Sequence, residues 1–540
     1  MKPFKSQLNV NSGDFEKNYQ DMLGLIEQLE ELNSRAVARS ERSRPRFDKR
    51  NQLLPRERLS RILDPGKPFL ELQSLAGYLV DEDDREKSLP GASVISGMGF
   101  VGGARCLVYV DDAGINAGSM TFSSGGKFTR AIEVALAKKL PFIHLVESAG
   151  ANLMDYKVEF WLDAGAMFAG LARLSAAGIP TFVVLHGPSA AGGAYMPGMS
   201  DYVIGVKENG RAYLAGPALL KAATGEEADD QELGGSEMHS RVSGLVEYLA
   251  EDDAHGISIA RDLIERLEWN RHCAAKPEKQ YREPIYSTDE ILGLVPKDFK
   301  ASYDVRELIA RIVDESNFLD FKPNYGPATV CVQAKVCGFP VGIIGNNGPI
   351  DPNGATKATH FLQLCDQSDI PIVFLQNITG YMVGTEYEHA GMIKHGAKMI
   401  QAVTNIRVPR ITFMIGASYG AGNYGMCGRS YNPDFLFTWP NAQVGVMGGE
   451  QAAKTMTQVM TEGARRKGVE ISQEALSKQE EDLIAHFDAQ SSAFYVSGRL
   501  KDDGVIDPRD TRKVLAFVLE TCWESNNRKL KSNSFGVARV

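Results

Sequence analysis

Two stretches of this chain place small residues where a strand meets a helix. FVVLHGPSAAGGAYMPG (182–198) reads as a buried strand, five residues of Ala or Gly from Ala190 to Ala194, and then a helix; ITFMIGASYGAGNYGM (411–426) repeats the order. Residues without bulky side chains leave backbone N–H groups open to a ligand, and a helix start adds unpaired donors and a positive dipole end. An oxyanion hole is built this way, and it stabilises negative charge appearing on a carbonyl oxygen. One such string alone fits close helix packing as well. Two in one chain imply two carbonyl-like groups to polarise.

Sharper motifs compete. SSGGKFT (123–129) contains Gly-Lys, yet a Walker A loop needs Ser or Thr directly after the lysine, and Phe128 stands there. Gly416-Ala417-Ser418-Tyr419-Gly420 is a formal G-x-S-x-G behind a strand, the nucleophile-elbow pattern of serine hydrolases. The other string reads GPSAA there, and only His486 follows Ser418 in the required chain order, so a serine hydrolase using Ser418 stands as the alternative from another class. Ser124-x-x-Lys127 lacks a companion motif. The nine histidines form no H-E-x-x-H or close pair, and His144 and His186 inside apolar strands read as core or site-lining residues. No metal site is expected.

The elements that must position these strings come in duplicate. Offset by 230 positions, SSGGKFTRAIEVALAKKLPFIHLVESAG (123–150) lies without a gap over NGATKATHFLQLCDQSDIPIVFLQNITG (353–380). Lys127 falls on Lys357, Pro141 on Pro371, Leu145 on Leu375 and Gly150 on Gly380. Each copy reads as a helix, a proline, a short buried strand and a loop ending in glycine. A second helix and a second X-Pro strand follow, IPTFVVLHG (179–187) and VPRITFMIG (408–416), leading into the small-residue strings. Repeated strand and helix units predict two α/β domains with largely parallel sheets, whose ligands sit where strands end and helices begin.

The expected boundaries are an arm with an amphipathic helix over 1–52, one domain over 53–272, a polar linker over 273–299 and a second domain over 300–540. Within the arm, Phe15, Tyr19, Met22, Leu23, Ile26 and Leu29 recur at helical spacing across 14–45 and need a surface to dock on.

Composition excludes other classes. With 59 Lys and Arg against 68 Asp and Glu the chain carries a net charge of −9, wrong for a nucleic-acid binder, and the basic run Arg35 to Arg50 reads as a solvated arm. No apolar run nears the ~20 residues of a membrane span. Seven cysteines without a C-x-x-C pair predict free thiols in a reducing cytoplasm, and the N-terminus lacks the apolar core of a signal peptide.

PRERLSRILDPGKPFLEL, HLVESAGANL, SAAGGAYMPGMSD, LAGPALLKAATGEE with LGGSEMHSRVSG, IIGNNGPI, FLQNITGYMVG, GASYGAGNYGMCGR and VMGGEQAA occur in this order. Together they resemble the carboxyltransferase β subunits of biotin-dependent acyl-CoA carboxylases, over about residues 14 to 525. The resemblance is stronger to the 3-methylcrotonyl-CoA and geranyl-CoA branch of leucine or terpene catabolism than to the propionyl-CoA branch, which stays as the alternative within the family. It implies two crotonase-like (ClpP-like) domains, with acyl-CoA on the N-terminal domain of one subunit and biotin on the C-terminal domain of another. Carried over by motif, the acyl-CoA thioester oxygen is held at Gly192 and Gly193, with Ala149 and Gly150 lining the acyl side. The biotin ureido oxygen is held at Ala421 and Gly422. Each loop stabilises an enolate-like oxygen, while cofactor and substrate do the covalent work.

The chain has no biotin-accepting A/V-M-K-M string and no ATP-binding glycine-rich domain, so the resemblance implies a partner α subunit. That partner would carry biotin, ATP and Mg around a β6 core in an α6β6 complex. AGAMFAGLARLSAAGIP (164–180) puts small residues around Phe168, where the methylcrotonyl-type pattern has paired Phe. This leaves room for a longer acyl chain, and neutral drift within a helix is the competing explanation.

Overall fold

The computed structural model describes residues 2–151, 157–276, 279–468 and 472–538. It divides into two compact units. The first comprises Glu30–Lys276, Gly498–Leu500 and Glu520–Val540, and the second Met1–Leu29, Pro277–Ser497 and Lys501–Leu519.

The first unit is built on β1 (Leu70–Glu71), β2 (Val94–Val101), β3 (Ala104–Asp111), β4 (Phe142–Ser148), β5 (Thr181–Ala190), β6 (Tyr202–Val206), β7 (Arg211–Tyr213) and β8 (Tyr248–Ala250). Strand order is β1-β2-β3-β4-β5-β6-β8, with β7 paired to β5. The first three strands run antiparallel and the rest parallel. Ile143 and Leu145 of β4 and Phe182 and Val184 of β5 point into one core with Ile257, Ala260 and Ile264 of the helix Asp253–Arg266. Side chains alternate along a strand, so His144, Val146 and Ser148 face the other way.

The second unit repeats this plan with β9 (Phe318–Asp320), β10 (Thr329–Val336), β11 (Phe339–Asn346), β12 (Ile372–Ile378), β13 (Arg410–Tyr419), β14 (Phe435–Thr438) and β15 (Gln443–Gly445). Its order is β14-β13-β12-β11-β10-β9, with β15 paired to β13. The duplication extends to register. Phe142 pairs with Thr181 as Ile372 does with Arg410, and both pairs of strands slip at the same place, between Val146 and Ser148 and between Gln376 and Ile378. The helices Phe122–Lys138 and Pro352–Gln367 begin 230 positions apart, as do β4 and β12.

Lys127 and Lys357, superposed in the sequence comparison, are both fully buried. Lys127 Nζ donates to Val94 O at 2.7 Å and Lys357 Nζ to Lys322 O at 3.2 Å. Each ties its helix to backbone carbonyls of its own unit. A Walker lysine would leave its ammonium open to phosphate, so the Gly-Lys of SSGGKFT has a structural task.

The N-terminal helix runs Gly13–Glu41 and a short one follows at Arg44–Lys49, begun with a proline in its first turn. Met22, Ile26 and Leu29 are buried, and the Phe15 ring lies where a Cβ on Gly293 would fall, 2.4 Å from its Cε2. Within 273–299, Ile291, Leu292, Leu294 and Val295 are buried.

Candidate active site

Each small-residue string ends a central strand. β5 pairs with β6 through Phe182–Leu185 and with β7 from Pro188 to Ala190. β13 likewise pairs with β14 through Ile411–Met414 and with β15 through Ala417–Tyr419. A strand that changes neighbour near its carboxyl end opens a crevice there, the usual ligand position in a parallel sheet.

The chain then turns through the left-handed region, at Ala191 (φ 53°) in the first unit and Gly420 (φ 54°) in the second. Glycine adopts this conformation without steric penalty, whereas alanine meets one of about 1–2 kcal/mol. Ala191–Ala194 forms a 3-10 turn into the helix Tyr195–Met199, and Ala421 caps the helical turn Gly422–Gly425. Gly192 and Gly193 therefore correspond to Ala421 and Gly422. Opening residues of a helix carry amides that lack partners within it, and these four residues carry no side chain larger than methyl.

The two loops differ in fit. A Cβ on Gly193 would lie 3.4 Å from Ser189 Oγ, and one on Gly192 would lie 3.7 Å from Phe168 Cζ. A Cβ on Gly422 would meet Ile378 Cγ1 at 2.6 Å and Gly380 Cα at 3.1 Å.

The loop after β4 walls the first site. Met120 N donates to Gly150 O at 2.9 Å, and a Cβ on Gly150 would sit 3.2 Å from Ala190 O. Gly150 is buried and Ala149 exposed. Asn152 and Leu153, which end the HLVESAGANL string, lie outside the described residues. The second unit keeps this arrangement, with Ile350 N donating to Gly380 O at 3.2 Å. A narrow cavity of about 20 Å³ lies against Gly193, walled by Tyr109, Met120, His144, Ser148 and Ser189 among others. Burial and the Asp111 carboxylate push the Tyr109 phenol well up, so it stays a donor, to Ser124 O at 3.3 Å.

On the opposite face of β4 sits a charged cluster that sequence reasoning missed. Arg58, fully buried, contacts Glu147 Oε2 through Nη1 at 2.6 Å and Asp253 Oδ2 through Nε at 2.8 Å. Asp253 Oδ1 lies 2.8 Å from His186 Nδ1, and Gln52 Nε2 donates to His186 O at 2.7 Å. Burial alone would raise the Asp253 carboxyl, but His186 and Arg58 outweigh it and hold that carboxyl well below the usual range. Burial lowers the His186 imidazole despite the nearby Asp253. Glu147 directly precedes Ser148-Ala149-Gly150, and His186 lies on β5, so the cluster braces both strands that deliver the site. The only trace in the sequence is Glu147, a charge inside the apolar run FIHLVES; Arg58 sits among the other charges of PRERLSRIL and does not stand out. The second unit replaces Glu147 with Asn377, whose Oδ1 accepts from Ala417 N at 3.0 Å. Gly187 and Gly416 make room for these side chains: a Cβ would meet Glu147 Cγ at 2.4 Å and Asn377 Oδ1 at 2.5 Å.

The serine-hydrolase alternative is overturned. Ser418 is buried and its Oγ accepts from Asn423 Nδ2 at 2.7 Å, while His486 is exposed and lies 3.0 Å from Gln490 Nε2. Among the described residues no histidine meets Ser418, and no group of three or more His, Cys, Asp or Glu is placed to hold a metal ion. In AGAMFAGLARLSAAGIP, Gly170 serves helix packing, since a Cβ there would lie 2.8 Å from Ile132 Cγ2. Phe168 is the residue that reaches the site, edge to face with Tyr195 at 5.9 Å.

Two crotonase-like α/β domains, each ending its central strand in an amide-lined loop, define a class, and residues 47–537 match the family described as Carboxyl transferase domain. The chain belongs to that family. It is 43% identical to a probable biotin-dependent acyl-coenzyme A carboxylase beta2 subunit of Mycobacterium tuberculosis, over 99% of this chain and 100% of the other. To the mitochondrial methylcrotonoyl-CoA carboxylase beta chain of Arabidopsis thaliana it is 42% identical, over 98% of this chain and 90% of the other. The crystal structure of the beta subunit of P. aeruginosa geranyl-CoA carboxylase matches over 100% of both chains at 47% identity, with a TM-score of 0.93.

Proposed function

We propose that the chain is the carboxyltransferase β subunit of a biotin-dependent acyl-CoA carboxylase, moving CO2 from carboxybiotin to the γ carbon of a branched 2,3-unsaturated acyl-CoA. The family and the relatives support the class of reaction. The observation that carries the division of labour is the pair of loops, alike in strand register, left-handed step and helix onset, one per unit. We assign the ureido ring to the second loop, where Gly420 and Asn423, the neighbours of Ala421 and Gly422, line a cavity of about 320 Å³. Biotin, when bound, supplies the carboxyl group and a ring nitrogen able to take the substrate's proton.

The chain's own part is to hold charge. The amides of Ala421 and Gly422 receive the negative charge that builds on the ureido oxygen, and those of Gly192 and Gly193 the charge on the thioester oxygen, with Ala149 and Gly150 lining the acyl side. One well-placed donor of this kind is worth about 3 kcal/mol, a hundredfold or more in rate. No acidic or basic side chain is required, in keeping with an apolar wall formed by Phe168 and Tyr195.

We assign acyl-CoA to the domain expected over 53–272 and biotin to the one expected over 300–540; the compact units depart from these bounds, since Glu520–Val540 joins the first unit and the expected linker from Pro277 onward joins the second. A partner biotin carboxylase and carrier subunit brings biotin together with the ATP and Mg chemistry, around a β6 core of an α6β6 complex. The seven free cysteines suit a reducing compartment, and we place the enzyme in the cytoplasm. Among the described residues no helix is long and apolar enough to cross a membrane. Around Phe168, Ala166 and Ala169 are exposed and a Cβ on Gly165 would meet nothing within 4 Å, which favours the longer geranyl-type chain.

The test is purification of the tagged chain from its host followed by a streptavidin blot, then carboxylation by the recovered complex. A co-purifying biotinylated protein and ATP-dependent carboxylation of acyl-CoA are expected. Absence of both refutes the assignment, and a strong kcat/KM preference for 3-methylcrotonyl-CoA over geranyl-CoA refutes the longer chain.

A further inference from the structure

The duplication shows the same position twice, filled once and open once. In the first unit Leu185, Val203 and Ala212 are buried together in an apolar cluster with Val183 and Val246, and Ala194 packs against it. Strand register maps Leu185, Val203 and Ala212 onto Met414, Leu436 and Val444 of the second unit, and continuing along the chain from β5 and β13 maps Ala194 onto Asn423. There they line a cavity of about 320 Å³, whose wall is completed by Ser418, Tyr424, Arg429, Ser430 and Lys501 among others. The three strand positions are apolar in both copies, yet they form a plug in one and line a hollow that also carries Arg429 and Lys501 in the other.

The polar groups are arranged to accept an anion. Ser189 of the first unit donates its hydroxyl hydrogen to Gly193 O at 2.8 Å. Its counterpart Ser418 instead accepts from Asn423 Nδ2 at 2.7 Å, which leaves the Ser418 hydrogen available to a ligand. Arg429 Nη1 contacts Asp503 Oδ1 at 3.2 Å, one of several donors on that guanidinium. Lys501 makes no ion pair among the described residues. Of the nearby acids, Asp503 pairs with Arg429 through Oδ1 while its Oδ2 accepts from Leu436 N at 2.8 Å, Asp502 Oδ1 accepts from Ser497 Oγ at 2.8 Å, and neither lines the cavity. Arg429, the exposed Lys501 and the Ser418 hydroxyl line one open hollow, and donors of these types form charge-assisted bonds with a planar oxyanion.

We propose that this cavity binds a small carboxylate-type oxyanion, held by Lys501 and Arg429 with the Ser418 hydroxyl donating. Binding itself is independent of the reaction. Its use in transfer rests on the functional reading above, in which the carboxyl group delivered to the Ala421–Gly422 loop is an anion of this class.

The test uses the purified full-length chain, titrated with sodium bicarbonate and, separately, sodium acetate against sodium chloride at matched ionic strength. Thermal melts and the line widths of the 13C-labelled anions are followed. The expected result is saturable protection by both anions, weakened at least tenfold in Lys501→Gln and restored in Lys501→Arg, with the exposed control Lys478→Gln binding as the unaltered chain does. No saturation, or equal titrations for Lys501→Gln and the unaltered chain, overturns the site. If anion binding depends on Lys501 while the complex carboxylates no acyl-CoA, the site stands and the functional reading falls.

Discussion

Replacing Gly422 with alanine should damage catalysis far more than the same change at Gly193, and the reason is geometric. The new Cβ of Gly422→Ala would lie 2.6 Å from Ile378 Cγ1 and 3.1 Å from Gly380 Cα. Carbon atoms in contact settle at about 3.5–4.0 Å, so something must move by about 1 Å. Ile378 is fully buried on β12 and pairs with Ser418, so the loop yields rather than the strand. A shift of about 1 Å takes an N–H···O contact from about 2.9 Å to a separation at which little of it remains. Loss of one such donor lowers kcat by about a hundredfold to a thousandfold. At Gly193 the nearest atom is Ser189 Oγ at 3.4 Å, which a small rotation of that side chain relieves. The assay is steady-state kinetics of the reconstituted complex with each variant, alongside thermal melts to establish folding. Equal kcat for the two variants, or a Gly422→Ala effect confined to KM for acyl-CoA, would refute the reasoning.

Arg58→Met should destabilise the first unit by about 3–5 kcal/mol, because it strands Glu147 and Asp253 in the interior without their shared cation; urea titration followed by fluorescence measures this. Burial, the largest influence on Asp502, raises its carboxyl to about 6 from 3.8, so it keeps a proton that the unfolded chain releases. The stability it contributes is present below about pH 4 and lost as pH rises to about 6. Asp502→Asn should therefore gain on the unaltered protein across that window in melts at stepped pH. Ser418 should resist a fluorophosphonate probe, read by labelling and mass spectrometry, since no histidine activates it.

Duplication was legible in the sequence because two copies of one pattern need no knowledge of tertiary contacts. The 230-position offset places β4 on β12 and the helix Phe122–Lys138 on Pro352–Gln367. The small-residue strings were legible for the same reason, as each repeats the other's order of strand, loop and helix. The buried cluster was not, since Arg58 meets Asp253 across 195 positions and Glu147 across 89. No local window holds such a contact. G-x-S-x-G misled because five residues do not specify what faces the serine, and Asn423 rather than a histidine does. The contrast between plug and cavity was equally out of reach, for it depends on which residues of β13, β14 and β15 converge.

Ala191 and Gly420 make the same left-handed step with different stiffness. Alanine has one narrow basin there and glycine a broad one. On the proposed assignment the first loop would act as a fixed stop, set before any substrate arrives, and the second as a compliant pivot. A ring that swings in and out on a tether suits the pivot. A thioester that must be held still while its carbon changes suits the stop.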